Sequence, residues 1–129
     1  MFLVYMSLTG NVENFVERVG YDSFKITESN PYIEMKEDYI IVIPTYVGYV
    51  NYDVESFIEY KDNLKHLVGF ASSGNLNFND LYCINAIELS EQYNKPLIMK
   101  FEYMGTDEDV EKFKKEVLKI EIARTKQKH

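Results

Sequence analysis

The 129-residue sequence predicts an α/β fold in which helices cover both faces of a parallel sheet. Four short apolar runs are nearly continuous rather than alternating, which is typical of strands that are buried on both faces. Between these runs, apolar residues recur at the three- and four-residue spacing of amphipathic helices. Because a chain of this length usually forms one domain, these observations together indicate a single α/β domain.

The four apolar runs and one weaker candidate give five predicted strands. In chain order the strands are residues 2–6, 23–26, 39–43, 67–71 and 97–101, of which the second is the weaker candidate. The segment 27–38 has no convincing helical period, so we predict a loop or a short helical turn there.

Four amphipathic helices are predicted between and after the strands. Their apolar positions are Val12, Phe15, Val16 and Val19; Val54, Phe57 and Ile58; Leu81, Ile84 and Ile87; and Val110, Phe113 and Val117. With right-handed crossovers, this alternation predicts a flavodoxin-like three-layer sandwich, with a five-stranded parallel sheet in the order 2-1-3-4-5.

The helix ends carry recognisable boundary residues. Asn11 is the predicted N-cap of the first helix, and Asn79 or Asp80 that of the third. Residues 106–109 have the Thr-x-x-Asp spacing of a capping box, which predicts the start of the last helix. Gly20 is the predicted end of the first helix.

Composition and charge restrict the kinds of molecule that the protein is expected to bind. The chain has 21 acidic and 14 basic side chains, a net charge of −7, which argues against a protein that binds nucleic acid through its phosphates. The apolar runs are far shorter than a membrane span, and no signal peptide is recognisable. We therefore expect a cytoplasmic protein that binds neither nucleic acid nor membrane. Residues 1–120 are the predicted domain, and residues 121–129 a frayed, basic C-terminal tail.

The first of three unusual segments follows the first strand, where ligands of an open parallel sheet bind. It consists of Ser7, Leu8, Thr9, Gly10 and Asn11. Hydroxyls, an amide and backbone N–H groups at a helix N-terminus suit a phosphate. Because the segment has neither lysine nor P-loop spacing, a nucleoside triphosphate with magnesium is disfavoured. An ordinary turn with an asparagine cap is the alternative.

The other two segments follow the third and fourth strands. Residues 44–49 place Tyr46 and Tyr49 around Gly48, and such rings provide flat apolar walls for a planar ligand such as an isoalloxazine. The alternative is a loop whose tyrosines cover the sheet edge. Residues 72–79 are rich in serine, glycine and asparagine, whose polar groups suit hydrogen bonds to the edge of a heterocycle. Phe78 would lie at the entrance of the binding site. An ordinary Asn/Gly loop is the alternative here.

These segments resemble those of the NrdI family, flavodoxin-like proteins that serve class Ib ribonucleotide reductase. The resemblance covers almost the whole chain. Its motifs are S-x-T-G-N at 7–11, P-T-Y-x-G at 44–48, S-G-N-x-N-F at 73–78 and K-F-E-Y-M-G-T at 100–106. The last two in combination are the most specific, since ordinary flavodoxins share only the first in loose form.

The resemblance implies a flavoprotein with non-covalent FMN, its phosphate in the first segment and its ring between the other two. The implied cofactor-binding residues are Ser7, Leu8, Thr9, Gly10, Asn11, Val12, Thr45, Tyr46, Val47, Gly48, Tyr49, Ser73, Gly74, Asn75, Asn77 and Phe78. Two positions depart from the family pattern. Val12 replaces a hydroxyl residue that many flavodoxins have, and a single glycine follows Tyr46 where some family members have several.

The resemblance also implies a role. Reduced FMN would convert O2 to superoxide for assembly of the dimanganese-tyrosyl radical cofactor of the reductase small subunit, with electrons from an unidentified reductase or other donor. The protein would then be a redox partner that performs no acid–base catalysis of its own.

Two alternatives stay open, a general electron-transfer flavodoxin serving another reductase and a flavin-free binding module on the same fold. A response regulator is disfavoured because no acidic pair follows the first strand and no aspartate ends the third.

The remaining candidate residues give no further site. Cys83 has no CxxC partner and is interpreted as a buried structural thiol inside the third helix. His66 and His129 lack ligand spacing, and the acids at 107–111 are typical of a first helical turn. No metal site is therefore predicted.

Overall fold

The computed structural model describes residues 1–30, 32–46 and 50–127. Its five strands are β1 (Phe2–Tyr5), β2 (Ser23–Lys25), β3 (Tyr39–Ile43), β4 (Leu67–Gly74) and β5 (Leu97–Glu102). They form one parallel sheet in the order β2-β1-β3-β4-β5. This confirms the predicted fold class and strand order, and β4 is three residues longer than predicted.

Helices cover both faces of the sheet, which explains why the strands are almost continuously apolar. The helices are α1 (Asn11–Val19), α2 (Val50–Ile58), α3 (Asn63–His66), α4 (Ile84–Tyr93) and α5 (Asp107–Gln127), with a 3-10 helix at Leu76–Leu81. On one face, α1 and α5 pack Phe15 and Phe113 against the sheet. On the other face, α2 and α4 bury Phe57 and Leu89. Every residue of β3 is buried as a result.

The predicted start and buried face of the third amphipathic helix are wrong. That helix, α4, begins at Ile84, and its N-cap position is Cys83 rather than Asn79 or Asp80. It buries Asn85, Ala86 and Leu89, whereas Leu81 is exposed in the preceding 3-10 helix. The apolar spacing was misleading because a polar residue, Asn85, faces the interior to bond the backbone after β3.

Cys83 itself confirms one interpretation and corrects another. Its side chain is fully buried, as predicted for a structural thiol. It lies at the N-cap position and not inside the helix, and its backbone is left-handed with a φ of 58°. The Cys83 N–H donates to Thr45 Oγ1 at 3.1 Å, which ties the start of α4 to the loop after β3.

Two of the other helix boundaries are confirmed and one is wrong. Gly20 ends α1 with a φ of 82°, and Thr106 and Asp109 exchange the two hydrogen bonds of a capping box. Asn11 is the first residue of α1 rather than its cap, because Gly10 occupies the N-cap position. Ser7 performs the capping instead, as its Oγ accepts hydrogen bonds from the N–H groups of Gly10 and Glu13 at 3.2 Å each.

Residues 121–127 differ from the frayed tail that we expected at 121–129. Helix α5 continues through Gln127, and Arg124 Nε donates to Asp38 Oδ2 at 2.8 Å. Lys128 and His129 lie outside the described residues, and the domain boundary at residue 120 stays a prediction. In the described ranges, no helix is both long and apolar enough to cross a membrane.

Candidate functional site

The segments that follow β1, β3 and β4 meet at the carboxyl edge of the sheet, as expected, and enclose a cavity of about 190 Å³. Strands β1 and β3 are neighbours, but the helices that follow them pack on opposite faces, so a crevice opens between them. The cavity is lined by Leu8, Thr9, Asn11, Pro44, Thr45, Tyr46, Ser73, Gly74, Asn75 and Tyr103.

The turn after β1 presents polar groups at the N-terminus of α1. Thr9 and Asn11 line the cavity, and Gly10 between them has a left-handed backbone with a φ of 91°. The first amides of a helix have no acceptor within the helix, and the helix dipole favours an anion beside them. This arrangement suits a phosphate. The side chain of Val12 packs in the core, so this residue offers the site its backbone alone.

The turn after β3 is held by partly buried hydrogen bonds. Thr45 Oγ1 donates to the carbonyl of Ser73 at 2.8 Å, which joins this turn to β4. The side-chain amide of Asn85 bonds both the N–H and the carbonyl of Tyr46, at 2.7 Å each. Asn85 thus fixes the backbone of a residue that lines the cavity. Sequence reasoning missed it because a lone asparagine on a helix carries no distinguishing pattern.

The predicted residues Val47, Gly48 and Tyr49 lie outside the described residues, so their place in the site stays a prediction. The same holds for the side chain of Phe78. Asn77 is exposed, and the cavity wall does not include it. Its N–H donates to Asn75 Oδ1 at 2.9 Å, so the two residues form an Asx turn at the end of β4.

Gly74 permits close packing beneath the cavity. A Cβ atom on Gly74 would lie 2.7 Å from Cδ1 of Tyr82 and 3.0 Å from Thr45 Oγ1. The glycine is therefore required by the Tyr82 ring. That ring also contacts Lys100, whose Nζ lies 5.5 Å from the ring centroid.

Tyr103, directly after β5, lines the cavity although the sequence did not assign it to the site. Its N–H donates to the carbonyl of Gly74 at 3.1 Å, and its own carbonyl accepts a hydrogen bond from Ser73 Oγ. Its backbone is left-handed, with a φ of 52°. The signal was the motif at 100–106, but the sequence placed only the segments after the first, third and fourth strands at the crevice.

A second, larger cavity of about 550 Å³ adjoins the first. Leu8, Thr9 and Tyr46 line both cavities. The rest of the second wall consists of Met6, Ser7, Lys25, Ile26, Thr27 and Glu28. Together the two cavities fall in the range of about 300–1,000 Å³ that is typical of small-molecule sites.

Two titratable side chains, Tyr82 and Cys83, lie next to Gly74 and Thr45 of the cavity wall. Burial is the main factor that raises the pKa of Tyr82 to about 12, and it also raises the pKa of the Cys83 thiol. A protonated thiol is a poor nucleophile, so Cys83 contributes packing rather than redox chemistry.

The sheet order and the cavity at the ends of β1, β3 and β4 define a flavodoxin-like α/β protein. Two solved structures have the same fold. A flavodoxin from Streptococcus pneumoniae TIGR4 has a TM-score of 0.64 at 20% identity, covering 95% of this chain and 97% of that one. A short-chain flavodoxin associated with a bacterial microcompartment has a TM-score of 0.63 at 17% identity, covering 88% and 90%.

The particular family is given by sequence. The family model described as NrdI flavodoxin-like matches residues 3–115. Protein NrdI of Bartonella tribocorum is 37% identical over 115 residues, covering 85% of this chain and 87% of the relative. Protein NrdI of Mycoplasma genitalium is 32% identical over 123 residues, covering 88% and 80%. The chain belongs to the NrdI family, which confirms the resemblance. The family's cofactor is FMN, and its role is linked to ribonucleotide reductase.

Proposed function

We propose that this protein reduces O2 to superoxide for assembly of the dimanganese-tyrosyl radical cofactor in the small subunit of class Ib ribonucleotide reductase. Family membership supplies FMN and the link to the reductase. The observation that carries the proposal is the meeting of three segments at one cavity, with a helix N-terminus on one side and tyrosines on the other.

The described residues fit an FMN molecule. Thr9 and Asn11, with the N–H groups of Asn11 and Val12 at the start of α1, would hold the phosphate, while Ser7 bonds the Glu13 N–H. Tyr46 and the segment 73–75 would hold the ring system, because one offers an aromatic surface and the other offers backbone donors and acceptors. The second cavity adjoins the first at Leu8, Thr9 and Tyr46, which gives the ligand further room.

The chain's own contribution is binding, orientation and electrostatics. When bound and reduced, FMN supplies the single electron that converts O2 to superoxide. None of the described residues that line the first cavity is charged, whereas Lys25 and Glu28 line the second. The net charge of −7 disfavours retention of an anionic product, which suits delivery to a partner. The electron donor would be a separate reductase or other reductant.

Cofactor binding is tested first, by titrating FMN into the purified chain and recording the visible spectrum. We expect a stoichiometric flavin complex. Thr9→Val should raise the Kd for FMN about fivefold, because one hydrogen bond to the phosphate is lost. Thr125→Val on α5, far from the cavity, is the control and should leave the Kd unchanged. A chain that takes up no FMN would refute the proposal.

The reductase step is tested separately. A manganese-loaded class Ib small subunit should gain its tyrosyl radical when this protein, a reductant and O2 are all present, as detected by electron paramagnetic resonance. Omitting this protein or O2 should abolish the signal. If an unrelated flavodoxin restores the radical equally well, the protein is instead a general electron-transfer flavodoxin.

A further inference from the structure

The turn between β5 and α5, residues 103–106, brings a second aromatic residue, Tyr103, to the cavity wall that Tyr46 also lines. Tyr103 is half exposed, and it lines the same cavity as Tyr46 although the two residues are far apart in the chain. An aromatic ring at the mouth of a flavin site can stack on the ligand or cover its edge. Because Tyr103 belongs to the turn at residues 103–106, its position depends on the contacts that hold this turn in place.

The turn has an unfavourable backbone conformation that needs support. Tyr103 has a positive φ, which L-residues other than glycine seldom adopt, and Gly105 follows with a φ of 73°. On its inner side the turn contacts the core, since a Cβ on Gly105 would lie 3.0 Å from Phe15 Cδ2 and 3.2 Å from Phe101 Cδ2. The hydrogen bonds to Ser73 and Gly74 hold the β4 side of the turn.

The remaining side of the turn is held by Arg18, in the last turn of α1. Its Nη2 atom donates to the carbonyls of Met104 and Gly105, the latter at 2.8 Å, and its Nη1 atom donates to Asp107 Oδ1 at 3.2 Å. Its Nε atom donates to Asn14 Oδ1 at 2.8 Å, which fixes the guanidinium on the helix. The planar guanidinium group can donate hydrogen bonds to several acceptors at once, in a geometry that a lysine cannot reproduce.

We infer that Arg18 is a positioning residue for the flavin site, which holds the β5–α5 turn so that Tyr103 forms the outer wall of the cofactor cavity. This inference rests on the proposed function, because it assumes that FMN occupies that cavity. Arg18 does not itself line either cavity, so its effect must pass through Tyr103.

The test compares FMN affinity among single and double variants. Tyr103→Ala should raise the Kd for FMN about tenfold through loss of an aromatic wall, whereas Tyr103→Phe should change it less than about twofold. Arg18→Ala should raise the Kd about fivefold. The double variant Arg18→Ala/Tyr103→Ala should bind no more weakly than Tyr103→Ala alone, because both changes remove the same wall.

Arg124→Ala is the matched control. It also removes an arginine that bonds a carboxylate, but at the opposite end of α5 beside Asp38, so the Kd should not change. A second readout is the fluorescence of bound FMN, which a nearby tyrosine ring quenches. This fluorescence should rise in Tyr103→Ala and Arg18→Ala, and stay low in Arg124→Ala even where that variant melts at a lower temperature.

The possible failures are distinguishable. If the wild-type chain does not bind FMN, the proposed function fails. If the wild type binds FMN but Tyr103→Ala changes neither the Kd nor the fluorescence, the wall assigned to Tyr103 is wrong. If the effects of Arg18→Ala and Tyr103→Ala on the Kd are fully additive, Arg18 does not act through Tyr103.

Discussion

Asp53 is a buried carboxylate in the first turn of α2, with 6% of its surface exposed. Its Oδ2 atom has no hydrogen-bond partner in the part of the chain that the structure describes. Burial, with a smaller contribution from the charge of Glu28, raises the pKa of this carboxyl. The helix dipole favours the charged form, but the desolvation cost is larger here. The carboxylate therefore destabilises the folded chain at neutral pH.

We predict that Asp53→Asn raises the free energy of unfolding by about 1 kcal/mol at pH 7, since it removes a buried charge. Because the folded-state pKa is raised, the folded chain binds the extra proton as the pH falls toward the unfolded value near 3.8. The gain from the substitution should therefore shrink with acidification. Chemical denaturation at several pH values measures this difference.

The control for this prediction is Asp22→Asn, which makes the same change of charge at an exposed position. It should alter the free energy of unfolding by less than about 0.5 kcal/mol at each pH. A gain from Asp53→Asn that stays constant down to pH 4 would contradict the assignment of a raised pKa.

Gly74 gives a second prediction at a single residue. Gly74→Ala should lower the free energy of unfolding by about 1–3 kcal/mol, because the added Cβ collides with the Tyr82 ring. In a Tyr82→Ala background the cost should be smaller, since the main obstacle is gone. Thermal denaturation of the four chains gives the coupling between the two positions. Equal costs in both backgrounds would show that Tyr82 is not the obstacle.

Gly74→Val should also weaken FMN binding. The structure shows that the substituent meets Tyr82 and Thr45, so the larger side chain displaces the loop that lines the cavity.

At the level of secondary structure elements, the capping box gives α5 a defined start. The Thr106 N–H donates to Asp109 Oδ2 at 2.9 Å, and the Asp109 N–H donates to Thr106 Oγ1 at 3.1 Å. We predict that Thr106→Ala lowers the free energy of unfolding by about 1 kcal/mol, as measured by chemical denaturation.

The control for this prediction is Thr125, which lies on the same helix. Thr125 also bonds through its hydroxyl, to the carbonyl of Glu121 at 2.9 Å, but that carbonyl belongs to a continuing helix. Thr125→Ala should therefore change the stability by less than about 0.5 kcal/mol. If Thr106→Ala and Thr125→Ala lower the free energy of unfolding equally, the capping box makes no specific contribution to stability.

The helices differed in how well their boundaries and buried faces could be predicted from the sequence. The positions of the α1 and α5 helices followed from apolar spacing, because their buried faces consist of valine and phenylalanine. Helix α4 did not follow, because its buried face includes Asn85, which is needed by the backbone of Tyr46. Whether a polar residue is buried depends on its contact with a residue distant in the sequence, and the periodicity of apolar residues cannot detect such a contact.

For the molecule as a whole, FMN binding should be coupled to folding. FMN at 100 times its Kd should raise the free energy of unfolding by about 2.7 kcal/mol, provided that the unfolded chain does not bind it. The melting temperature should rise with FMN concentration accordingly. Riboflavin, which lacks the phosphate, should stabilise the chain less at the same concentration. Equal stabilisation by both ligands would mean that the turn at 7–11 does not bind the phosphate.

The sequence alone determined the fold class, the strand order and the family, because these depend on local apolar periods and on motifs within single segments. It also pointed to the segments after β1, β3 and β4, of which residues 8, 9, 11, 44–46 and 73–75 line the cavity. Their convergence followed from the topology of a parallel sheet, in which successive strands end at one edge.

Only the tertiary structure decided which side chains hold those segments and which residue completes the wall. The amide contacts of Asn85 and the bonds from Arg18 to the turn that carries Tyr103 join residues that are far apart in the sequence. Such contacts depend on side-chain positions that are fixed by packing of the whole domain. A sequence pattern of one segment contains no information about the partner that another segment places beside it.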